Sequence, residues 1–364
     1  MKKILFSALL AWSIPLTITL VSCNKSIHQV TSNIPALNPA SEDVNAGTWK
    51  LVLLSRPDSF AVAAPAATNS SGYLADLNEI KGLQRSLSSD DEQKINYWAA
   101  GNVLRWNEIM RDLVAKYNLP PYQNANGTYP IPSSANPFAY PNFPFSNPPY
   151  AARAYAYVSA AQYDALVACW HYKQLYNRAA PYKIDSGVEA KVTKTSLPAY
   201  PSEAAVLAGV TAEMMKSLFP DEIASIQQKA EEAELAAIES GAAARSDVNA
   251  GEALGRQVAD LFIARAKTDN ASVAVGNATI WAGLATQTAA AGQTPWKSLE
   301  VPARPPMLPL FGNVKPFLFD SATVVSLRPG PPPSTSGSDM TQQVQMDYDQ
   351  IKNPTRDQIR IVQF

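Results

Sequence analysis

Leu197-Pro198-Ala199-Tyr200-Pro201-Ser202-Glu203-Ala204-Ala205-Val206 opens the stretch that decides the fold. Ser240-Gly241-Ala242-Ala243-Ala244-Arg245-Ser246-Asp247-Val248-Asn249-Ala250-Gly251-Glu252-Ala253-Leu254-Gly255 closes it. Ser202 is a natural N-cap, and Glu203 is favourable at the positive end of the helix that follows. That apolar helix stops at Phe219-Pro220-Asp221, where proline and aspartate restart a second helix running through Glu232 and Glu234 to about Glu239. Ala236 and Ala237 are strong helix formers. Ser246-Asp247 then caps a third helix, through Leu254 to about Lys267. Three consecutive helices joined by short breaks predict an all-α chain.

The layout of this stretch resembles the type 2 phosphatidic acid phosphatase / vanadium haloperoxidase superfamily. Members carry Pro-Ser-Gly-His on one helix and Ser-Arg-x5-His-x3-Asp on a later one. The resemblance implies an all-α multi-helix bundle of the vanadium haloperoxidase / acid phosphatase type, with long proline-rich loops. It also implies chemistry in which one histidine bonds to phosphorus or vanadium and a second acts as acid and base. Here the first motif reads Pro201-Ser202-Glu203-Ala204. Counting back from Asp247, the nucleophilic histidine falls on Ala243 and the Ser-Arg pair on Ala236-Ala237.

The chain contains two histidines, His28 and His171, and neither lies in these motifs. Histidine-dependent phosphoryl or vanadate chemistry needs a histidine nucleophile and a second group of matched pKa. No catalytic residue is therefore assigned. The expected cofactor set is empty for this chain, with vanadate possible only alongside a catalytic half. The candidate ligand-binding residues are Ser202, Glu203 and Arg245, of which Ser202 and Glu203 are also explained as a cap and a first-turn charge. The sharper reading pairs Glu203 with Arg245 in a vacated pocket. No metal-ligating set is expected.

Outward from this stretch, the N-terminus supplies an address. Met1-Lys2-Lys3 and the apolar run Ile4 to Leu20 form a secretory signal, and Leu20-Val21-Ser22-Cys23 resembles a bacterial lipobox. The expected division is 1–23 as signal and lipobox and 24–46 as a flexible tether. A helical bundle follows over 47–294, a proline-rich crossover over 295–333, and the start of a further helical region over 334–364. Lipidation of Cys23 would make a membrane surface the first partner and the bacterial cell envelope the location, with an envelope partner also possible. Cys169, alone in an apolar helix, is a core residue. Lysine plus arginine (30) balances aspartate plus glutamate (31), which gives no basic surface for nucleic acid.

Within the body, Thr48–Leu54 reads as a short strand or an extended arm, and 71–86 as partly helical. Ser88 caps a helix expected to continue to Tyr117 along the stripe Ile95, Ala99, Val103, Trp106, Met110, Leu113 and Tyr117. Nine prolines between Leu119 and Pro149 exclude regular structure there, and Phe138, Tyr140, Phe143 and Phe145 suggest an ordered wrap. An Ala-rich helix runs to about Tyr172. Its Arg153, Gln162 and Asp164 are either buried partners or a solvated face, and Lys173 and Arg178 behind it are expected on the surface. Lys297 and Arg304-Pro305 fit the family's Lys-x6-Arg-Pro spacing, but in a proline loop after the candidate helix. Helices are expected over 339–352 and from Thr355 onward.

Three readings follow. The first is a lipid-anchored haloperoxidase/phosphatase-like protein whose catalytic half lies beyond residue 364. The second is a decayed homologue that keeps a pocket near Ser202, Glu203 and Arg245. The third is an envelope interaction module that uses the aromatic, proline-rich loops.

Overall fold

The computed structural model describes residues 34–38, 43–117, 148–299, 303, 305–330 and 337–363. The signal and lipobox with Cys23, His28, most of the tether, the aromatics of 119–147 and Arg304 lie outside the described residues. Among those described, every regular element is a helix.

The N-terminal helices are α1 (Ser71–Arg85), α2 (Ser89–Ala99) and α3 (Asn102–Lys116), followed by the 29-residue α4 (Pro148–Tyr176). A single turn, α5 (Pro181–Ile184), and a loop lead to α6 (Glu203–Leu218), α7 (Ile223–Glu239) and α8 (Arg245–Ala266). The chain ends with α9 (Ala278–Ala290), α10 (Ser321–Ser326), α11 (Ser338–Lys352) and α12 (Arg356–Gln363). The single helix expected over 88–117 is two. Gly101 sits between α2 and α3 at φ +120°, which only glycine adopts without strain, and the chain turns there. The turn lets Trp98 and Trp106 close on each other, with ring centroids 5.4 Å apart.

α6 is the axis of the molecule. Its residues from Ala205 to Ala212, together with Met214 and Met215, are buried, as an all-round apolar helix requires. It packs against α8, α7, α4 and α3. The closest approach is to α8 and is made by glycine. A Cβ on Gly255 would stand 2.3 Å from the Val206 carbonyl oxygen, and one on Gly251 would stand 2.4 Å from that of Ser202. A second cluster joins Tyr73, Leu77 and Ile80 of α1 to Ile238 of α7 and to Ala243, Ala244 and Val248 at the start of α8.

The stretch after Trp49 is an extended arm, with neither helix nor strand until α1. Asp164, fully buried on α4, accepts the amides of Val52 (2.7 Å), Leu53 (2.7 Å) and Leu54 (2.8 Å). Gln162 donates to the Thr211 hydroxyl on α6 at 2.9 Å. Arg153 pairs with Asp269 at 2.7 Å, so Arg153, Gln162 and Asp164 are partners rather than a solvated face. The proline-rich stretch folds back over the end of α8. Lys315 donates its amide to the Asp269 carbonyl (2.9 Å), and Phe317 lies edge-on to Tyr157 at 4.8 Å. Beyond it α11 stands exposed along its length, Val344 and Ile351 included. No helix among the described residues is long and apolar enough to cross a membrane.

Candidate functional site

The chemistry-bearing groups of the quoted stretch meet where α6 begins beside the start of α8. Ser202 caps α6, its hydroxyl accepting from the Ala205 amide at 3.4 Å. The Ser202 amide donates to the Asp247 carbonyl at 2.9 Å, which ties the two helix starts together. Asp247 is on the first turn of α8, whose cap position is Ala244 rather than Ser246. One carboxylate oxygen of Asp247 accepts from the Ala244 amide at 2.6 Å, and the other pairs with the Arg178 guanidinium. The reading of Asp247 as a cap is therefore half of its role.

Lys173 and Arg178 are not surface cations. Both are buried: Arg178 is 5% exposed and Asp247 0%. Lys173 Nζ donates to the Pro198 carbonyl at 2.6 Å and lies 5.5 Å from the Trp170 ring centroid. Arg178 Nη2 also donates to the Ser246 hydroxyl at 3.0 Å. The guanidinium carbon lies 4.5 Å from the Tyr200 ring centroid and 4.8 Å from that of Tyr73. A planar cation between aromatic faces and a carboxylate is a favourable way to bury arginine. Sequence reasoning missed both burials. The available signal was the aromatic company of these cations, with Trp170, Tyr172 and Tyr176 in an otherwise apolar helix.

The environment shifts the titrating groups in consistent directions. Burial pushes the Asp247 carboxyl up, against the pull of Arg178. Burial, joined by Asp247, pushes the Tyr73 hydroxyl up to about 12. The buried Cys169 thiol, 3.7 Å from the Pro201 carbonyl, is likewise raised to about 12 and is not a nucleophile at neutral pH.

The three candidate residues do not converge. Ser202 is buried in the cap, and Glu203 is half-buried on the first turn of α6. Arg245 turns to α1, where it meets Glu79 at 2.7 and 3.2 Å rather than Glu203. The structure brings together instead Lys173, Arg178, Ser202, Ser246 and Asp247. Part of this cluster is unmatched: Arg178 Nε and Nη1 and the Tyr73 hydroxyl are buried without a hydrogen-bond partner among the described residues. Unpaired buried donors are costly, and these N–H groups are the part of the cluster that could donate to an anion or water.

Vanadate held through histidine does not fit here. Ala243, at one histidine position of the resemblance, is packed in the α1–α7–α8 cluster, and Ala204 holds the other. His171, the one histidine among the described residues, sits edge-on to Tyr172 at 5.1 Å, and its backbone packs beneath Gly47. Lys297 is exposed. Among the described residues no group of three or more His, Cys, Asp or Glu is placed to hold a metal ion.

No family model and no curated protein sequence matches the chain. Solved structures similar to it include a bacterial vanadium-dependent iodoperoxidase, at 18% identity and a TM-score of 0.47, over 63% of this chain and 60% of that one. Another is an apo-type bacterial vanadium-dependent chloroperoxidase, at 12% identity and a TM-score of 0.46, over 61% of this chain and 56% of that one. The chain thus spans a little over half the length of these neighbours.

Proposed function

We propose that this chain is a haloperoxidase/phosphatase-like helical bundle that performs no histidine-dependent chemistry by itself and supports a catalytic half of the same kind. The carrying observation is the state of the centre. Ala204 and Ala243 stand at the histidine positions of the resemblance, and Asp247 is satisfied by Arg178 and the Ala244 amide. Exposed apolar side chains on α11 are what a supporting bundle would offer to a neighbour. Attachment through a lipidated Cys23 places the bundle on a membrane surface of the cell envelope in this reading.

Titration of residues 24–364 with orthovanadate tests it. No heat of binding is expected up to about millimolar concentration, whereas a micromolar Kd overturns the reading. A second reading, a decayed site that keeps a small-anion pocket, is favoured by the unpaired N–H groups of Arg178. Binding of inorganic phosphate that is lost in Arg178→Gln is its expected signature.

A further inference from the structure

The arm from Trp49 to Ala63 is held by side chains of the bundle acting on its backbone. Asp164 takes three successive amides at one end and pairs with no Lys or Arg among the described residues. Four tyrosine hydroxyls then donate to arm carbonyls: Tyr163 to Lys50 (2.9 Å), Tyr172 to Phe60 (2.8 Å), Tyr176 to Val62 (2.6 Å) and Tyr200 to Ala63 (2.6 Å). Three of these tyrosines form a continuous row. Tyr172 stacks on Tyr176 at 5.9 Å, and Tyr176 is edge-on to Tyr200 at 5.7 Å. Tyr200 is also the ring laid on Arg178, the buried guanidinium with two unmatched N–H positions.

We propose that the arm is a releasable strap, latched by Asp164, whose opening frees Tyr200 and gives small solutes access to the unpaired N–H groups of Arg178. The arm also buries Leu54 and Val62 in the main core cluster, with Leu51, Leu53 and Phe60 packed against it, so local opening exposes those side chains while α6, α7 and α8 keep their packing on one another. The Asp164 side chain is the densest single point of the latch, since its two oxygens take three backbone donors. The proposal concerns access to Arg178, and it stands whether or not a natural anion binds there.

The test uses the full chain and two readouts. Hydrogen exchange follows the amides of Val52, Leu53 and Leu54. Phenylglyoxal modification of Arg178, read by peptide mass spectrometry, reports access, with the half-exposed Arg245 as internal control. In Asp164→Asn, the three amides are expected to lose protection. Arg178 labelling is expected to rise at least about tenfold, the factor given by 1.4 kcal/mol of lost latch. Arg245 labelling should stay as it was, and the melt should remain a single cooperative transition at a lower Tm. Tyr176→Phe with Tyr200→Phe weakens the strap from its other end and keeps both rings, so it decides the matter if Asp164→Asn fails to fold. Exchange without a rise in Arg178 labelling would show that the arm covers something else. Amides still protected in both variants would show that there is no latch.

Discussion

Asp247 and Arg178 come from segments 69 residues apart and form the buried ion pair on which the start of α8 depends. Removing one partner of such a pair strands the other charge, at a typical cost of 3–5 kcal/mol. Arg178→Met alone should therefore destabilise the chain by about that amount in urea unfolding. The double variant Arg178→Met, Asp247→Leu should recover a large part of the loss, because a packed apolar pair is often neutral against a buried ionic one. A double variant no more stable than the single would mean that the capping bond from Asp247 to Ala244 outweighs the ion pair. Both cations of this site were expected on the surface, as lysine and arginine usually are. What buries Arg178 is a carboxylate on α8, the ring of Tyr73 on α1 and the ring of Tyr200 in the loop before α6, and beyond the aromatics at the end of α4 no local pattern reports such company. Arg245, expected beside Glu203, pairs instead with Glu79, 166 residues away on α1.

At the scale of elements, helix contacts decide which substitutions are tolerated. Gly255→Ala would drive a methyl into the backbone of α6, and the expected loss is about 1–3 kcal/mol despite the better helix propensity of alanine. Gly283, inside α9, has nothing within 4 Å of a Cβ position, and Gly283→Ala there should gain up to about 1 kcal/mol. Thermal melts of the two variants should move in opposite directions. The α7–α8 seam carries a pH dependence. Burial, reinforced by Glu252 and opposed by Arg256 and Arg245, raises Glu234 to about 7. A raised carboxyl favours the protonated native state, so its contribution is intact below about 4.5 and is lost as the pH rises through 7. Glu234→Gln should hence stabilise the chain at pH 8 by about 1–2 kcal/mol, allowing for the partial exposure of this group, and change little at pH 4. The three central helices were legible because caps, a proline break and apolar runs all agree there. The break at Gly101 was not, since the apolar stripe runs through it without interruption.

For the molecule as a whole, the sequence pattern announced an all-α architecture. It could not announce that part of the proline-rich stretch would fold back on Arg265, whose guanidinium donates to the Pro316 carbonyl at 2.7 Å. That contact joins segments 51 residues apart through backbone oxygen, which side-chain patterning does not encode. The lipid anchor is a whole-molecule prediction. Cys23→Ala should move the protein from the membrane fraction to the soluble one and abolish labelling by radioactive palmitate. Retention in the membrane fraction without label would point to a protein partner as the anchor.

The arm has a further consequence, one of timing. Every hydrogen bond that binds it to Asp164 and the tyrosines joins residues 110 to 137 positions apart in the chain. The arm therefore emerges early in synthesis and finds its partners only after α4 and the start of α6 have followed. At about 5–20 residues per second that interval is on the order of ten seconds. The arm is thus made long before the residues that hold it, and its last partner, Tyr200, follows Ala63 by 137 positions. A nascent chain caught before that moment would carry an unplaced arm, with α6, α7 and α8 still to be made.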